Sequence, residues 1–150
     1  MQNGEIKKIW ELLDTVPDPE IPVISVVELG VIRNVEYINN TFVISITPTY
    51  SGCPAVKTFQ DDIKICLKKN NITNFEIRLV YSPSWTTDWM SQTAKEKLLK
   101  YGISPPSNLV ICPQCKSTST TMISEFGATA CKSFHKCNEC LEPFEHFKCI

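Results

Sequence analysis

Histidine is scarce in this sequence: the 150 residues contain two, His135 and His146. A Cys–His catalytic pair is therefore excluded within the N-terminal two thirds of the chain and could form only across a domain boundary. Long apolar runs are absent too. No stretch of about eighteen apolar residues occurs, which excludes a membrane-spanning helix. The opening order Met1-Gln2-Asn3-Gly4-Glu5-Ile6-Lys7-Lys8 lacks the basic-then-apolar plan of a signal peptide, so a cytoplasmic protein without membrane contact is expected. Charge of one sign is also missing. The formal net charge is −1, and after Pro106 four lysines (116, 132, 136, 148) are balanced by four glutamates (125, 139, 142, 145). With no basic patch to release counterions, no nucleic-acid partner is expected.

What the chain does have is cysteine, eight in all, and six of them (112, 115, 131, 137, 140, 149) crowd into the last 39 residues. In a reducing compartment such crowding points to metal rather than to disulfides. A boundary is expected at Gly102-Ile103-Ser104-Pro105-Pro106, where glycine can end a helix and two prolines stop it. Two domains follow, residues 1–104 and 105–150. The second is close to the size below which a chain needs a metal or cross-links to fold.

The first domain reads as α+β, a small sheet with helices packed on it. Helical spacing over residues 5–16 carries Ile6, Ile9, Trp10, Leu13 and Val16, and Pro17 closes that helix. Residues 31–38 and 41–47 read as a hairpin turned at Asn39-Asn40. A second helix runs from Pro54 to about Lys69 with Val56, Phe59, Ile63, Cys66 and Leu67 on one face. A third strand carries Phe75, Ile77, Leu79 and Tyr81, and a last helix near 88–101 buries Met90, Ala94, Leu98 and Tyr101.

The second domain reads as a zinc ribbon. Cys112-Pro113-Gln114-Cys115 and Cys137-Asn138-Glu139-Cys140 are two Cys-x-x-Cys knuckles separated by 21 residues, a spacing that suits an intervening hairpin. Four thiolates complete a closed tetrahedral shell, the structural form of zinc coordination. Metal binding of this kind contributes on the order of 10–16 kcal/mol, more than so small a core supplies. Cys131, His135, His146 and Cys149 are alternative ligands, and an iron–sulfur cluster is the alternative occupant of a four-cysteine shell.

Two segments of the first domain carry chemistry. Asp18-Pro19-Glu20-Ile21-Pro22 sets two carboxylates on a stiff turn, which is equally a plain turn motif. Thr47-Pro48-Thr49-Tyr50-Ser51-Gly52-Cys53-Pro54 joins the second strand to a helix, with Cys53 at the N-cap and Pro54 at the first helical position. Amides and dipole at a helix N-terminus lower a thiol's pKa, so Cys53 reads as a thiolate nucleophile or soft-metal ligand, or else as a half-buried cap.

Together Asp18-Pro19-Glu20-Ile21-Pro22-Val23, Glu28-Leu29-Gly30-Val31 and Thr49-Tyr50-Ser51-Gly52-Cys53-Pro54 resemble the metal–sulfur cluster assembly factor family that includes SufT. Glu28 stands where that family often has aspartate. Pro83-Ser84-Trp85-Thr86-Thr87-Asp88-Trp89, Phe126-Gly127-Ala128-Thr129-Ala130-Cys131-Lys132 and Glu142-Pro143-Phe144, with the appended knuckles, look like the branch of the family that serves phenylacetyl-CoA epoxidase in aerobic phenylacetate breakdown. That system's oxygenase carries a di-iron site, and its reductase a flavin and a [2Fe–2S] cluster. The resemblance implies an accessory protein without catalysis of its own, which assists assembly or maintenance of such centres. Its partners would be the epoxidase subunits or iron–sulfur assembly proteins. Cys53 becomes the key thiol, with Asp18 and Glu20 beside it and iron or a cluster bound transiently; zinc is the structural metal at Cys112, Cys115, Cys137 and Cys140. A docking subunit without thiol chemistry and a cysteine-dependent enzyme are the other readings.

Overall fold

A computed structural model describes residues 2–19, 21–49 and 56–149, so Glu20 and Cys53 lie outside the described residues. Packing divides the chain into two compact units, Met1–Trp85 and Thr86–Ile150.

The first unit contains α1 (Gln2–Leu13), β1 (Ile32–Ile38), β2 (Thr41–Ile46), α2 (Val56–Lys69) and β3 (Phe75–Leu79). The sheet order is β1-β2-β3, with β1 and β2 antiparallel and β2 and β3 parallel. Asn39 and Asn40 adopt φ of 51° and 62°, the left-handed pair that a two-residue hairpin turn requires and that asparagine tolerates. The return from β2 to a parallel β3 needs a crossover, which α2 supplies. Ile9 and Leu13 of α1 and Phe59, Ile63 and Leu67 of α2 are buried with Val35, Ile44 and Ile46 of the sheet. β3 is an edge strand; Leu79 and, beyond the strand, Tyr81 are exposed. α1 ends at Leu13, one turn before the expected limit, because Thr15 and Val16 turn back to the carbonyls of Leu12 and Leu13.

The second unit opens with a 3₁₀ turn, Thr87–Trp89, followed by α3 (Gln92–Tyr101), β4 (Ile103–Ser104), β5 (Thr120–Ser124), β6 (Lys132–Cys137) and β7 (Pro143–Phe147). Its sheet order is β4-β7-β6-β5, with β4 parallel to β7 and the other pairs antiparallel. Ser91 caps α3, its hydroxyl accepting the Ala94 N–H at 3.0 Å. Gly102 ends the helix at φ 101° and donates to the carbonyls of Leu98 and Leu99, the usual left-handed stop. Ala94 and Leu98 are buried as the periodicity requires, but the expected buried stripe needs correcting at both ends. Met90 is buried ahead of the helix, beside the 3₁₀ turn, and Tyr101 is 50% exposed. Met90 lies ahead of the Ser91 cap and so is not part of α3, and Tyr101 is the last residue of the helix, before the Gly102 cap. Among the described residues no helix is long and apolar enough to cross a membrane.

At Gly102 the helix end demands a left-handed backbone. Gly102→Ala should lower its unfolding free energy by about 1–2 kcal/mol, measured by urea denaturation of the full chain. No change would show that the C-cap geometry is not required.

Candidate metal centre

The two knuckles are built to one plan. In the first, Cys112 N–H donates to the Ser117 carbonyl and Lys116 N–H to the Cys112 carbonyl, both at 2.9 Å. In the second, Cys137 N–H donates to the Glu142 carbonyl at 2.9 Å, and Cys140 N–H points at the Cys137 sulfur, 3.4 Å away. In both, the residue after the second cysteine is left-handed: Lys116 at φ 65° and Leu141 at φ 66°. This is a conformation glycine would take without strain; here a lysine and a leucine hold it, at a cost of about 1–2 kcal/mol each. Sequence reasoning missed both positions, because the signal that marks them, a glycine, is absent. The Asn138 N–H donates to the Ser119 carbonyl at 2.9 Å, tying the second knuckle to the segment after the first.

The result brings Cys112, Cys115, Cys137 and Cys140 together, with all four sulfurs within 4.8 Å of one another. Cys112 and Cys140 lie 3.6 Å apart, Cys115 and Cys137 3.5 Å. A tetrahedron of sulfurs each about 2.3 Å from a central ion has edges of about 3.8 Å, so the cage matches zinc in size and donor type. Cys112 and Cys137 are fully buried and pack with Phe144, with Val110 against them, while Cys115 and Cys140 are exposed. The electrostatics are those of crowded sulfurs. Backbone N–H groups of Cys140 and Glu139, opposed by burial, bring the Cys137 thiol down to about 7. The Glu142 amide favours the Cys140 thiolate, but burial and the neighbouring sulfurs override it and push that thiol up to about 12. Cys115 is raised in the same way despite the Ser117 amide. The Cys137 thiolate forms readily; Cys115 and Cys140 await a cation.

The alternative ligands do not join this cage. Cys131 is buried with its sulfur 3.0 Å from the Thr129 hydroxyl, and Cys149 is exposed. His135 shares a 2.7 Å hydrogen bond with the Ser133 hydroxyl and stacks on Phe144 at 5.8 Å. His146 meets His135 edge-on at 5.5 Å. Burial, then the neighbouring His135, hold His146 down at about 4, and burial also lowers His135, so both imidazoles are neutral packing groups near neutrality.

In the first unit, Asp18 is buried inside a closed loop. Its Oδ2 accepts the Ile21 N–H at 2.7 Å and its own N–H donates to the Ile24 carbonyl at 2.7 Å. Ser25 donates to Asp14 at 2.6 Å, and Glu28 accepts the Ser25 N–H at 3.1 Å. The Trp85 indole N–H, bonded to the Leu29 carbonyl at 3.1 Å, fixes the end of this loop. Glu20 and Cys53 fall outside the described residues. β2 ends at Ile46 and α2 is described from Val56, so the segment that carries Cys53 links a strand to a helix.

A helix-flanked three-stranded sheet followed by a four-cysteine ribbon defines a class: an iron–sulfur assembly domain with an appended zinc ribbon. Residues 6–71 match the family described as iron-sulfur cluster assembly protein, and residues 102–148 match the PaaD zinc beta ribbon domain. The chain is 46% identical, over 97% of its length and 94% of the relative's, to an Escherichia coli (strain K12) protein provisionally named as the D subunit of 1,2-phenylacetyl-CoA epoxidase. It is 36% identical to the Fe-S protein maturation auxiliary factor of Porphyromonas gingivalis (strain ATCC BAA-308 / W83), over 60% of this chain and 87% of that one. The crystal structure of the domain of unknown function DUF59 from Bacillus anthracis superposes with a TM-score of 0.60 at 33% identity, covering 65% of this chain and 93% of that one. The chain belongs to the PaaD family of phenylacetyl-CoA epoxidase D subunits.

Removing metal with a chelator should unfold the β5–β7 ribbon while the helices of the first unit persist, read by residue-resolved NMR. Affinity for zinc should fall as pH drops from about 8 to about 6, since the raised Cys115 and Cys140 thiols already carry protons that the metal displaces and the Cys137 sulfur gains one as pH passes through 7. Mass action sets the slope at roughly tenfold per pH unit for each proton displaced. Competition with a chromophoric chelator from about pH 8 to about pH 6 measures it; a pH-independent affinity would contradict this account of the cage.

Proposed function

We propose that this protein is a maturation factor for the metal centres of a phenylacetyl-CoA epoxidase, holding zinc in its ribbon and handling iron or an iron–sulfur cluster as cargo through Cys53. The observation that supports this is the joining, on one chain, of an iron–sulfur assembly domain to a cage whose four positions are all taken by cysteine. A closed four-cysteine shell leaves no position for exchange and suits a structural ion. Transfer chemistry therefore falls to the other domain.

In that domain Cys53 precedes α2, where free amides and the helix dipole favour a thiolate. A single thiol cannot enclose a cluster, so positions stay open for a partner, as transfer requires. Soft thiolate suits iron and its clusters. Asp18, whose carboxylate accepts the Ile21 N–H, and Glu20 are the acidic groups that this reading places with Cys53. The partners are the epoxidase subunits and the iron–sulfur assembly proteins.

One observation favours a second reading, a docking subunit without thiol chemistry: Met122, Ile123 and Phe126 of the ribbon are each more than half exposed. The two readings separate in one experiment. Epoxidase co-expressed with the Cys53→Ala protein should lose iron content and activity several-fold while the variant keeps its fold and zinc. Under the docking reading that variant is silent, and only loss of the ribbon abolishes association with the epoxidase.

A further inference from the structure

The outer face of α2 carries a self-complementary stripe. Ile65 is 63% exposed, the most exposed large apolar side chain among the described residues of its unit. One turn towards the N-terminus stand Asp61 and Asp62; one turn towards the C-terminus stand Lys68 and Lys69. In a helix, residues three and four apart share a face, so these five lie along one strip with acid towards one end, base towards the other and an isoleucine between, flanked by Lys57 and Lys64. Alongside it runs a groove of about 540 Å³ lined by Leu12, Val16, Pro17, Asp62, Ile65 and Lys69.

We propose that this strip is the interface of a two-fold symmetric dimer in which α2 packs antiparallel to α2 of a second copy. The case is charge complementarity. A two-fold axis at Ile65 places Asp61 beside Lys68 and Asp62 beside Lys69 of the second copy, and symmetry repeats both pairs, so four opposite-charge pairs form, while Lys64 stands a quarter turn off the strip at the rim. A parallel arrangement would set aspartate on aspartate and lysine on lysine. Each copy's Ile65 meets the other's at the axis, which gives the isologous contact that two-fold oligomers use. The Lys57–Asp61 ion pair on this helix, 3.4 Å long, joins side chains 88% and 50% exposed; a pair that open is too weak to hold Asp61 back. One helix pair and a groove make a small interface, so the dimer is transient, concentration-dependent and weakened by salt. The proposal does not depend on the maturation reading, because no residue of the strip belongs to the proposed metal or transfer site.

Sedimentation of the full chain tests it. The wild-type protein should dimerise with rising concentration, less so in high salt, and Ile65→Glu should weaken association at least about tenfold. The all-acidic variant Lys68→Glu/Lys69→Glu and the all-basic variant Asp61→Lys/Asp62→Lys should each be monomeric alone and should pair when mixed. Four of the five positions are exposed and Asp62 is half-buried, and circular dichroism with a zinc count confirms that each variant is folded. Three results would overturn the proposal: a wild type monomeric at every concentration, a dimer indifferent to Ile65→Glu, or a mixture that stays monomeric. A strip whose substitution weakens only the binding of a different protein overturns it as well, and assigns the surface to that protein.

Discussion

Four sulfurs held within 4.8 Å of one another cannot all carry charge unless a cation sits among them. The second unit depends on that constraint. Its apolar core is thin: Cys112 and Cys137 are themselves core residues, packed with Phe144. The strands that surround the cage are short, and two non-glycine residues, Lys116 and Leu141, are held left-handed to aim the sulfurs. Backbone strain, crowded thiols and a small core would together disfavour folding; a bound dication reverses the balance, because its binding energy is folding energy in a domain of this kind. The two knuckles share one hydrogen-bond plan, which is why two separate stretches of chain present the same half-cage to one point.

Sequence spacing made much of this legible, and the reasons are local. The paired Cys-x-x-Cys motifs define their own turns, Asn39-Asn40 carries its own left-handed preference, and the apolar stripe of α2 appears at Phe59, Ile63 and Leu67 as the periodicity demands. What stayed hidden was set by partners distant in the chain. β4 is two residues long and exists because Ile103 and Ser104 find Glu145 and His146, a pairing no local pattern announces. Tyr101 fits a helical stripe in sequence but is half exposed, as the last residue of the helix before the Gly102 cap. The loop around Asp18 also escaped. Nothing in Asp18-Pro19-Glu20 predicts that the aspartate turns inward to bind the Ile21 amide, and the Trp85 indole that fastens Leu29 comes from 56 residues away.

The two units thus divide their use of sulfur. In the ribbon the thiols are gathered in a closed set, and the chemistry available there is structural. In the assembly domain the thiol of interest stands apart from the cage in sequence, on the link between a strand and a helix, and the domain's Asp18 carboxylate is already ordered by a backbone amide. A closed shell that keeps the chain folded, with transfer left to a separate thiol, is the division that the proposed maturation role requires.

Zinc, iron and sulfide bound per chain, in the wild type and in Cys53→Ala, test this division most directly. The account predicts a stoichiometric zinc that the substitution leaves untouched, with any iron and sulfide lost along with the thiol. Iron in place of zinc among the four cysteines, or iron and sulfide retained in full without Cys53, would contradict it.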